Sequence, residues 1–211
     1  MKTCYIFSSI PCRADGFARD KTDLVIAADK GYENTLRMGI KADLIVGDFD
    51  SLGYIPEGEE ILRHPAEKDD TDTMLAVKTA IDRGFRRIVI YGGIGGRLDH
   101  TFANMQTLAY ASCRGAEAFL VDGRSIVTSL TNEKITVNGK GTASVFAFGK
   151  AKGVSISGLK YPLFGYEMSF DFPIGVSNEF TGMPATVEVR DGTLIFMWTG
   201  DLSDITERYG L

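Results

Sequence analysis

Apolar and polar positions follow two alternating periods over roughly the first 122 residues of the chain. Short apolar runs of strand length occur at residues 4–7, 24–28, 44–46, 87–91 and 117–121. Between them, apolar residues at helical spacing predict helices at residues 32–38, 74–81 and 98–112, each followed closely by a glycine. This alternation predicts a Rossmann-like α/β domain, in which a parallel sheet carries helices on both faces.

The pattern changes after Gly123, where strand-like runs follow one another with Gly, Pro and Asn between them. The runs lie at residues 125–129, 134–137, 142–148, 154–157, 166–172, 185–189 and 193–198. No helical pattern appears before about residue 200. Several short strands at regular spacing predict an all-β sandwich or barrel-like domain. We therefore expect two domains, residues 1–123 and residues 124–211.

The charge of the chain is concentrated in one segment. The net charge is −5 over 211 residues, but the 30 residues from Asp43 to Asp72 hold ten acidic and only two basic side chains. The remaining residues are slightly basic and lack the Lys/Arg stripe of a nucleic-acid binder. No apolar run reaches the roughly 18–20 residues of a membrane span, and three cysteines without a Cys-x-x-Cys pair suggest reduced thiols. We expect a cytoplasmic protein that binds neither nucleic acid nor membrane.

Two carboxylates, Asp48 and Asp50, follow directly after the predicted strand at residues 44–46. Open α/β folds bind their ligands at this carboxyl end of the sheet. In an extended segment, side chains at i and i+2 point to the same side, and a hard cation such as Mg²⁺ commonly relieves their repulsion. The alternative is a solvated loop in which aspartates serve as turn residues.

A second acidic group, Lys68-Asp69-Asp70-Thr71-Asp72, precedes the helix that begins near Met74. Asp and Thr are preferred helix N-caps, and carboxylates favour the positive end of a helix. A cap accounts for one acid, whereas three acids and a lysine exceed what a cap needs. The group is thus either an elaborate helix start or the second half of a metal and nucleotide site.

The third group is the glycine-rich turn Gly92-Gly93-Ile94-Gly95-Gly96, which leads from a predicted strand into a predicted helix. Such a turn lets backbone N–H groups approach a phosphate at the helix N-terminus. It matches neither the Walker loop nor the Gly-x-Gly-x-x-Gly fingerprint. Arg97, Thr101 and Asn104 form a polar stripe on the following helix, and His100 stands beside it in either a structural or a functional role.

Together, these motifs resemble the thiamine pyrophosphokinase family. The resemblance is carried, over residues 24–198, by Ala27-Ala28-Asp29 with residues 39–51, Lys68-Asp69-x-Thr71-Asp72, residues 95–104, Ser177-Asn178-Glu179-Phe180, and Gly192 with residues 194–198. Two positions depart from the family pattern: Lys30 stands where many members have glycine, and Met74 where glutamate is common.

The resemblance implies a reaction and a set of roles. A pyrophosphoryl group would pass from ATP to the hydroxyl of thiamine, giving AMP and thiamine diphosphate, in a homodimer with active sites at the subunit interface. Asp48, Asp50 and Asp72 would be the catalytic, Mg²⁺-binding carboxylates, and either Asp50 or Asp72 would accept the hydroxyl proton. The implied nucleotide contacts are Asp69, Thr71, Arg97, Asp99, His100 and Asn104. The implied thiamine contacts are Ser177, Asn178 and Trp198, of which Trp198 has a core or domain-interface role as its alternative.

Two other functions compete with this one. A phosphatase of the haloacid-dehalogenase type would use Asp48 and Asp50, but Ser51-Leu52 departs from the expected continuation and the glycine-rich turn would have no role. A non-catalytic thiamine or nucleotide sensor would have no need of three metal carboxylates.

Overall fold

The computed structural model describes residues 1–14, 17–50, 52–54, 56, 60–63 and 69–210. Ser51 and Lys68, which belong to the motifs above, lie outside the described residues. The chain divides into two compact units, Met1–Gly123 and Arg124–Leu211.

The first unit contains a parallel sheet. Its strands are β1 (Thr3–Phe7), β2 (Leu24–Ala28), β3 (Leu44–Gly47), β4 (Glu60–Arg63), β5 (Arg87–Tyr91) and β6 (Glu117–Asp122). They lie in the order β4-β3-β2-β1-β5-β6, and each pairing between neighbours is parallel. The order reverses at β1, which lies between β2 and β5. A reversal of this kind opens a crevice at the carboxyl ends of the strands.

Three helices connect these strands: α1 (Gly31–Met38), α2 (Asp72–Asp82) and α3 (Leu98–Ser112). Gly39 ends α1 with a φ of 66°, the left-handed conformation that glycine adopts without strain. At its start, α1 lies so close to β1 that a Cβ on Gly31 would come within 1.8 Å of the Phe7 carbonyl oxygen. All three helices agree in type with the predictions.

The second unit is built from antiparallel strands. They are β7 (Ser125–Thr131), β8 (Glu133–Val137), β9 (Thr142–Ser157), β10 (Leu163–Ser169), β11 (Asn178–Glu179), β12 (Ala185–Glu188), β13 (Asp191–Thr199) and β14 (Ile205–Gly210). The strand β9 is central, since β10, β11, β12 and β13 all pair with it. A short 3₁₀ helix, Leu202–Asp204, precedes β14. For the part of the chain that the structure describes, the coarse fold class, a mixed sheet with three α-helices and many strands, is confirmed.

Several predicted boundaries in the second unit are wrong. The runs at residues 142–148 and 154–157 form one continuous strand, β9. Gly149 and Gly153 do not end the strand; they adopt positive φ within it, and the pairing with β10 shifts its register in this region. The run at residues 166–172 begins earlier, as β10. The strands β4, β11 and β14 have no counterpart among the predictions.

Candidate active site

Four strand ends and two helix starts bring the motifs of the first unit to one edge of its sheet. Ser8 follows β1, Asp29 follows β2, Asp48 follows β3 and Gly92 follows β5. Because these strands are parallel neighbours, their carboxyl ends share one edge of the sheet. The turn at Asp48-Phe49-Asp50, named here the acidic turn, and the glycine-rich turn therefore stand at the edge where open α/β sheets bind ligands.

The acidic turn is organised around a buried phenylalanine. Phe49 is 3% exposed and packs into a cluster with Phe7, Val25 and Ile45. Its φ of 66° is left-handed, so the segment between the two aspartates is not extended, in contrast to the expectation from the sequence. The Asp48 side chain accepts a hydrogen bond from the Asp50 backbone N–H at 3.0 Å. Phe49 thus anchors a tight turn that leaves Asp48 half-buried and Asp50 exposed.

Asp29 is a site residue to which the sequence motifs assigned no role. It follows β2, is only 7% exposed, and donates its backbone N–H to the Val46 carbonyl at 2.8 Å. A Cβ on Gly47 would lie 3.3 Å from the Asp29 Cα, so glycine at position 47 allows the two strand ends to approach. The approach places the Asp29 backbone beside the residue that precedes Asp48. The signal for Asp29 was present in the Ala27-Ala28-Asp29 motif.

The second acidic group divides into separate roles. The Thr71 hydroxyl accepts the Met74 backbone N–H at 3.2 Å, so Thr71 is the N-cap of α2. Lys78 donates to both carboxylate oxygens of Asp70, at 2.6 and 2.8 Å. Asp70 is therefore paired within the unit, whereas Asp69 is exposed and Asp72 is half-buried in the first turn of α2. A cap alone does not explain the last two acids.

The helix start is tied to the first strand by a buried hydroxyl pair. The side-chain oxygens of Ser8 and Thr73 lie 2.8 Å apart, and both residues are buried. This hydrogen bond connects the carboxyl end of β1 to the first turn of α2. Asp72 is held at the same edge as the acidic turn by this connection.

The glycine-rich turn is held from the side of α3. Gly92, Gly95 and Gly96 have positive φ, a backbone conformation that glycine adopts without strain and that permits a compact turn. The buried side chain of Asn104 donates to the Gly93 carbonyl at 2.8 Å, and the Thr101 hydroxyl accepts the Gly95 N–H at 3.1 Å. Two members of the predicted polar stripe, Thr101 and Asn104, therefore form hydrogen bonds with the turn.

Arg97 and Asp99 pair with each other at the start of α3. Two hydrogen bonds of 2.6 and 3.1 Å join them, and their side chains are 72% and 64% exposed. The pairing lowers the pKa of Asp99 and raises the pKa of Arg97, so both stay charged near neutrality. His100 is exposed, and its backbone N–H donates to Asp99. Because an exposed ion pair contributes little to stability, an incoming phosphate could recruit Arg97 at small cost.

The candidate thiamine contacts differ in their surroundings. Asn178 is 4% exposed; its side chain accepts the Tyr161 N–H at 2.9 Å and donates to the Tyr161 carbonyl at 2.7 Å. Ser177 is exposed, with a left-handed φ of 56°. Trp198 is 3% exposed, stacks on Phe196 at 5.0 Å, and has no hydrogen-bond partner for its indole N–H among the described residues. Asn178 therefore holds a backbone segment in place, and Trp198 is a core residue within one chain.

The acidic turn fits Mg²⁺ by its donor chemistry. Mg²⁺ takes oxygen ligands and is commonly held by one or two carboxylates together with phosphate oxygens and waters. Asp48 and Asp50 supply two carboxylates from one turn. Among the residues that the structure describes, no group of three or more His, Cys, Asp or Glu side chains lies close enough together to hold a metal ion. The turn thus suits a metal ion that is also held by a bound ligand.

Comparison with protein families assigns both units. Residues 18–120 match the model "Thiamin pyrophosphokinase, catalytic domain", and residues 132–194 match the model "Thiamin pyrophosphokinase, vitamin B1 binding domain". Together, the two models describe an enzyme with a catalytic domain followed by a vitamin-binding domain. The chain belongs to the thiamin pyrophosphokinase family.

Individual relatives agree with this assignment. The thiamine pyrophosphokinase of Bacillus subtilis (strain 168) is 28% identical over 192 residues, covering 86% of this chain and 90% of the relative. Its crystal structure superposes with a TM-score of 0.83, covering 95% of this chain and 100% of the other. The crystal structure of the Geobacillus thermodenitrificans thiamin pyrophosphokinase has a TM-score of 0.80 at 25% identity, covering 96% and 99%. No helix among the described residues is long and apolar enough to cross a membrane.

Proposed function

We propose that this chain transfers a pyrophosphoryl group from ATP to the hydroxyl of thiamine and releases AMP and thiamine diphosphate. The observation that carries the proposal is the match of both family models in order along one chain. The acidic turn and the glycine-rich turn at one edge of the parallel sheet support it, because phosphoryl transfer depends mainly on positioning and on charge stabilisation. The first unit would be a Rossmann-like ATP-binding domain and the second a β-sandwich thiamine-binding domain.

Carboxylates of the first unit would hold Mg²⁺ against the triphosphate. Asp48, Asp50 and Asp72 are the proposed ligands. Mg²⁺ supplies neutralisation of the charge on the phosphate oxygens. The turn at Phe49 keeps Asp48 and Asp50 at the strand end, and the Thr71 cap keeps Asp72 in the first turn of α2. Either Asp50 or Asp72 would accept the proton of the thiamine hydroxyl.

The glycine-rich turn and its surroundings would bind the rest of the nucleotide. Backbone N–H groups of the turn and the start of α3 suit phosphate oxygens. The exposed Arg97 would leave its ion pair with Asp99 and bind a phosphate of ATP instead. Its positive charge would then stabilise the negative charge that develops on the transferred group. The remaining proposed nucleotide contacts are Asp69, Thr71, Asp99, His100 and Asn104.

Thiamine would bind to the second unit, where the vitamin B1 binding model matches. Ser177, Asn178 and Trp198 are the proposed contacts. Ser177 is the exposed member of the three, so its hydroxyl is the best placed to meet a ligand. Asn178 would act mainly through the Tyr161 backbone that it binds. The face of an aromatic ring suits the cationic thiazolium, and this is the role proposed for Trp198.

The active enzyme would be a cytoplasmic homodimer with active sites at the subunit interface. Large apolar side chains that are more than a third exposed support this: Tyr161, Phe164, Tyr166, Phe170, Phe172, Ile174, Val176 and Met183. Monomers seldom expose so many apolar side chains in one stretch of chain.

One assay tests the proposed reaction. The protein is incubated with thiamine, ATP and Mg²⁺, and the nucleotide and thiamine products are separated by chromatography. We expect AMP and thiamine diphosphate in equal amounts, and neither product when thiamine or Mg²⁺ is left out. Formation of ADP, or of free phosphate alone, would contradict the proposal and would favour a phosphatase.

A further inference from the structure

We propose that Asn34 is a positioning residue for ATP binding and that it acts by holding the glycine-rich turn in shape. The inference rests on the proposed function, because it assumes that the turn at residues 92–96 meets the phosphates of ATP. Asn34 lies on α1 and is outside every motif that carries the family resemblance.

The side chain of Asn34 is buried and uses both of its amide hydrogens. It is 2% exposed, and its Nδ2 donates to the Ser8 carbonyl and to the Ile10 carbonyl, each at 2.8 Å. A primary amide carries two N–H donors on one nitrogen, so a single side chain can bridge two carbonyls. Asn34 therefore joins α1 to residues 8–10, the segment that follows β1.

The same segment is joined on its other side to the glycine-rich turn. The Ile10 N–H donates to the Gly92 carbonyl at 3.0 Å, and the Ser8 N–H donates to the Tyr91 carbonyl at 2.8 Å. Hydrogen bonds thus connect the Asn34 amide to residues 8–10, and residues 8–10 to the start of the glycine-rich turn. We therefore expect a displacement of residues 8–10 to displace the turn.

The glycine-rich turn is in close contact with residues 8–10 and with Asn34. A Cβ on Gly92 would lie 2.4 Å from the Ile10 oxygen, 2.9 Å from the Ser8 oxygen and 3.3 Å from the Asn34 Nδ2. A Cβ on Gly96 would lie 2.6 Å from the Ile10 Cδ1, so the Ile10 side chain supports the far end of the turn as well. The turn is held from one side by this contact and from the other by Asn104. Close packing of this kind transmits small displacements.

The substitution Asn34→Asp isolates the hydrogen bonds. An aspartate has the same shape but faces the two carbonyl oxygens with acceptors of its own, so the segment at residues 8–10 must move away. The matched control is Gln106→Glu, which makes the same amide-to-acid change at an exposed position of α3. Each variant is tested as the full chain, with thermal unfolding measured alongside.

The measurements are the KM values for ATP and for thiamine, kcat, and the Kd for α,β-methylene-ATP, an analogue whose bridge cannot be cleaved. We expect Asn34→Asp to raise the KM for ATP and the analogue's Kd by about 10- to 100-fold, because displaced binding groups lose much of their effect. The KM for thiamine should change by less than about two-fold, as should every constant of the control. A purely structural role would lower the melting temperature and the active fraction while leaving the KM for ATP unchanged, and that result would overturn the inference.

A second variant covers the case in which Asn34→Asp does not fold. Ile10→Ala keeps the amide bridge and removes the side chain that lies against Gly96, and it should weaken analogue binding in the same direction. An unchanged Kd in that variant would overturn the inference. Wild-type protein that binds the analogue but makes no thiamine diphosphate would contradict the proposed function and not the role of Asn34. The role of Asn34 is judged by the ratio of the analogue's Kd in Asn34→Asp to its Kd in wild type.

Discussion

Phe49 shows how one buried residue can place two functional ones. Its ring packs in the core of the first unit, and its left-handed φ turns the chain so that the flanking carboxylates stand at the strand end. The sequence predicts the location of the carboxylates, because it follows from the end of a strand. It does not predict the hydrogen bond from the Asp50 N–H to Asp48, which depends on the φ of Phe49.

The substitution Asp50→Asn tests the role of this turn. It preserves the shape of an exposed side chain and removes its charge, so we expect turnover to be abolished while the circular dichroism spectrum and melting temperature stay unchanged. Asp82→Asn, an exposed site near the end of α2, is the control and should retain full activity. Activity retained in Asp50→Asn would remove Asp50 from the proposed metal site.

The three cysteines report on the packing of the first unit. Burial raises the pKa of the Cys12 thiol to about 11 and the pKa of the Cys4 thiol further still, whereas Cys113 is exposed. A raised pKa leaves less of the reactive thiolate at pH 8. We expect iodoacetamide at pH 8 to modify Cys113 first, Cys12 slowly, and Cys4 only after unfolding, as read by mass spectrometry. Rapid labelling of Cys4 in the native protein would contradict this packing.

At the scale of elements, the sequence predicts those whose side chains are buried in a regular period. The strands β2 and β5 match their predicted bounds because nearly every position in them is buried. The strands β4 and β14 were missed because both have mostly exposed side chains, so their sequences lack a clear apolar period. The sequence pattern predicted two strands in place of β9, because Gly149 and Gly153 have the sequence pattern of turn residues. In the structure they are irregular positions within one strand.

The cap of α2 provides a test of a single element. Thr71→Ala removes the oxygen that accepts the Met74 N–H, and it should lower the free energy of unfolding by about 1 kcal/mol. Thr71→Ser keeps that oxygen and should stay close to wild type. Urea denaturation followed by circular dichroism distinguishes the two, and equal stability of both variants would show that the cap contributes nothing.

The last strand is held by a nearly buried ion pair. Arg208 on β14 donates to the Glu133 carboxylate and to the Ser129 carbonyl, at 2.8 and 2.7 Å, and the two charged side chains are 4% and 12% exposed. Arg208→Met leaves a mostly buried carboxylate without this partner and should lower the free energy of unfolding by about 3 kcal/mol.

The control for that substitution is Arg190→Met. Arg190 pairs with Glu188 at 3.0 Å but is 75% exposed, so its loss should lower the free energy of unfolding by less than about 1 kcal/mol. Urea denaturation of both variants gives the comparison. Equal losses would mean that burial does not set the contribution of the Arg208 pair.

For the whole molecule, the sequence motifs led to the family that both family models match. Contacts between side chains distant in sequence were not predictable. Examples are the pairing of Asp70 with Lys78 and the burial of Trp198, which depend on how elements pack. The candidate site was therefore predicted from the sequence as a list of residues, and the structure divides that list into buried supporting residues and exposed ones.

The oligomeric state is a further test at this scale. We expect light scattering to give twice the 23.0 kDa mass of one chain, because the exposed apolar side chains at residues 161–183 would be covered in a dimer. Replacing Phe164 and Phe170 by serine should shift the mass toward the monomer. A monomeric wild type that is fully active would contradict an active site at the subunit interface.

The most direct test of the central claim follows the phosphorus atoms. ATP carrying a radioactive label only at the β-phosphorus is incubated with thiamine, Mg²⁺ and the full chain, and the products are separated. Transfer of an intact pyrophosphoryl group predicts that the label appears in thiamine diphosphate and that the AMP is unlabelled. Label that remains in ADP, with thiamine receiving no labelled phosphorus, would contradict the account.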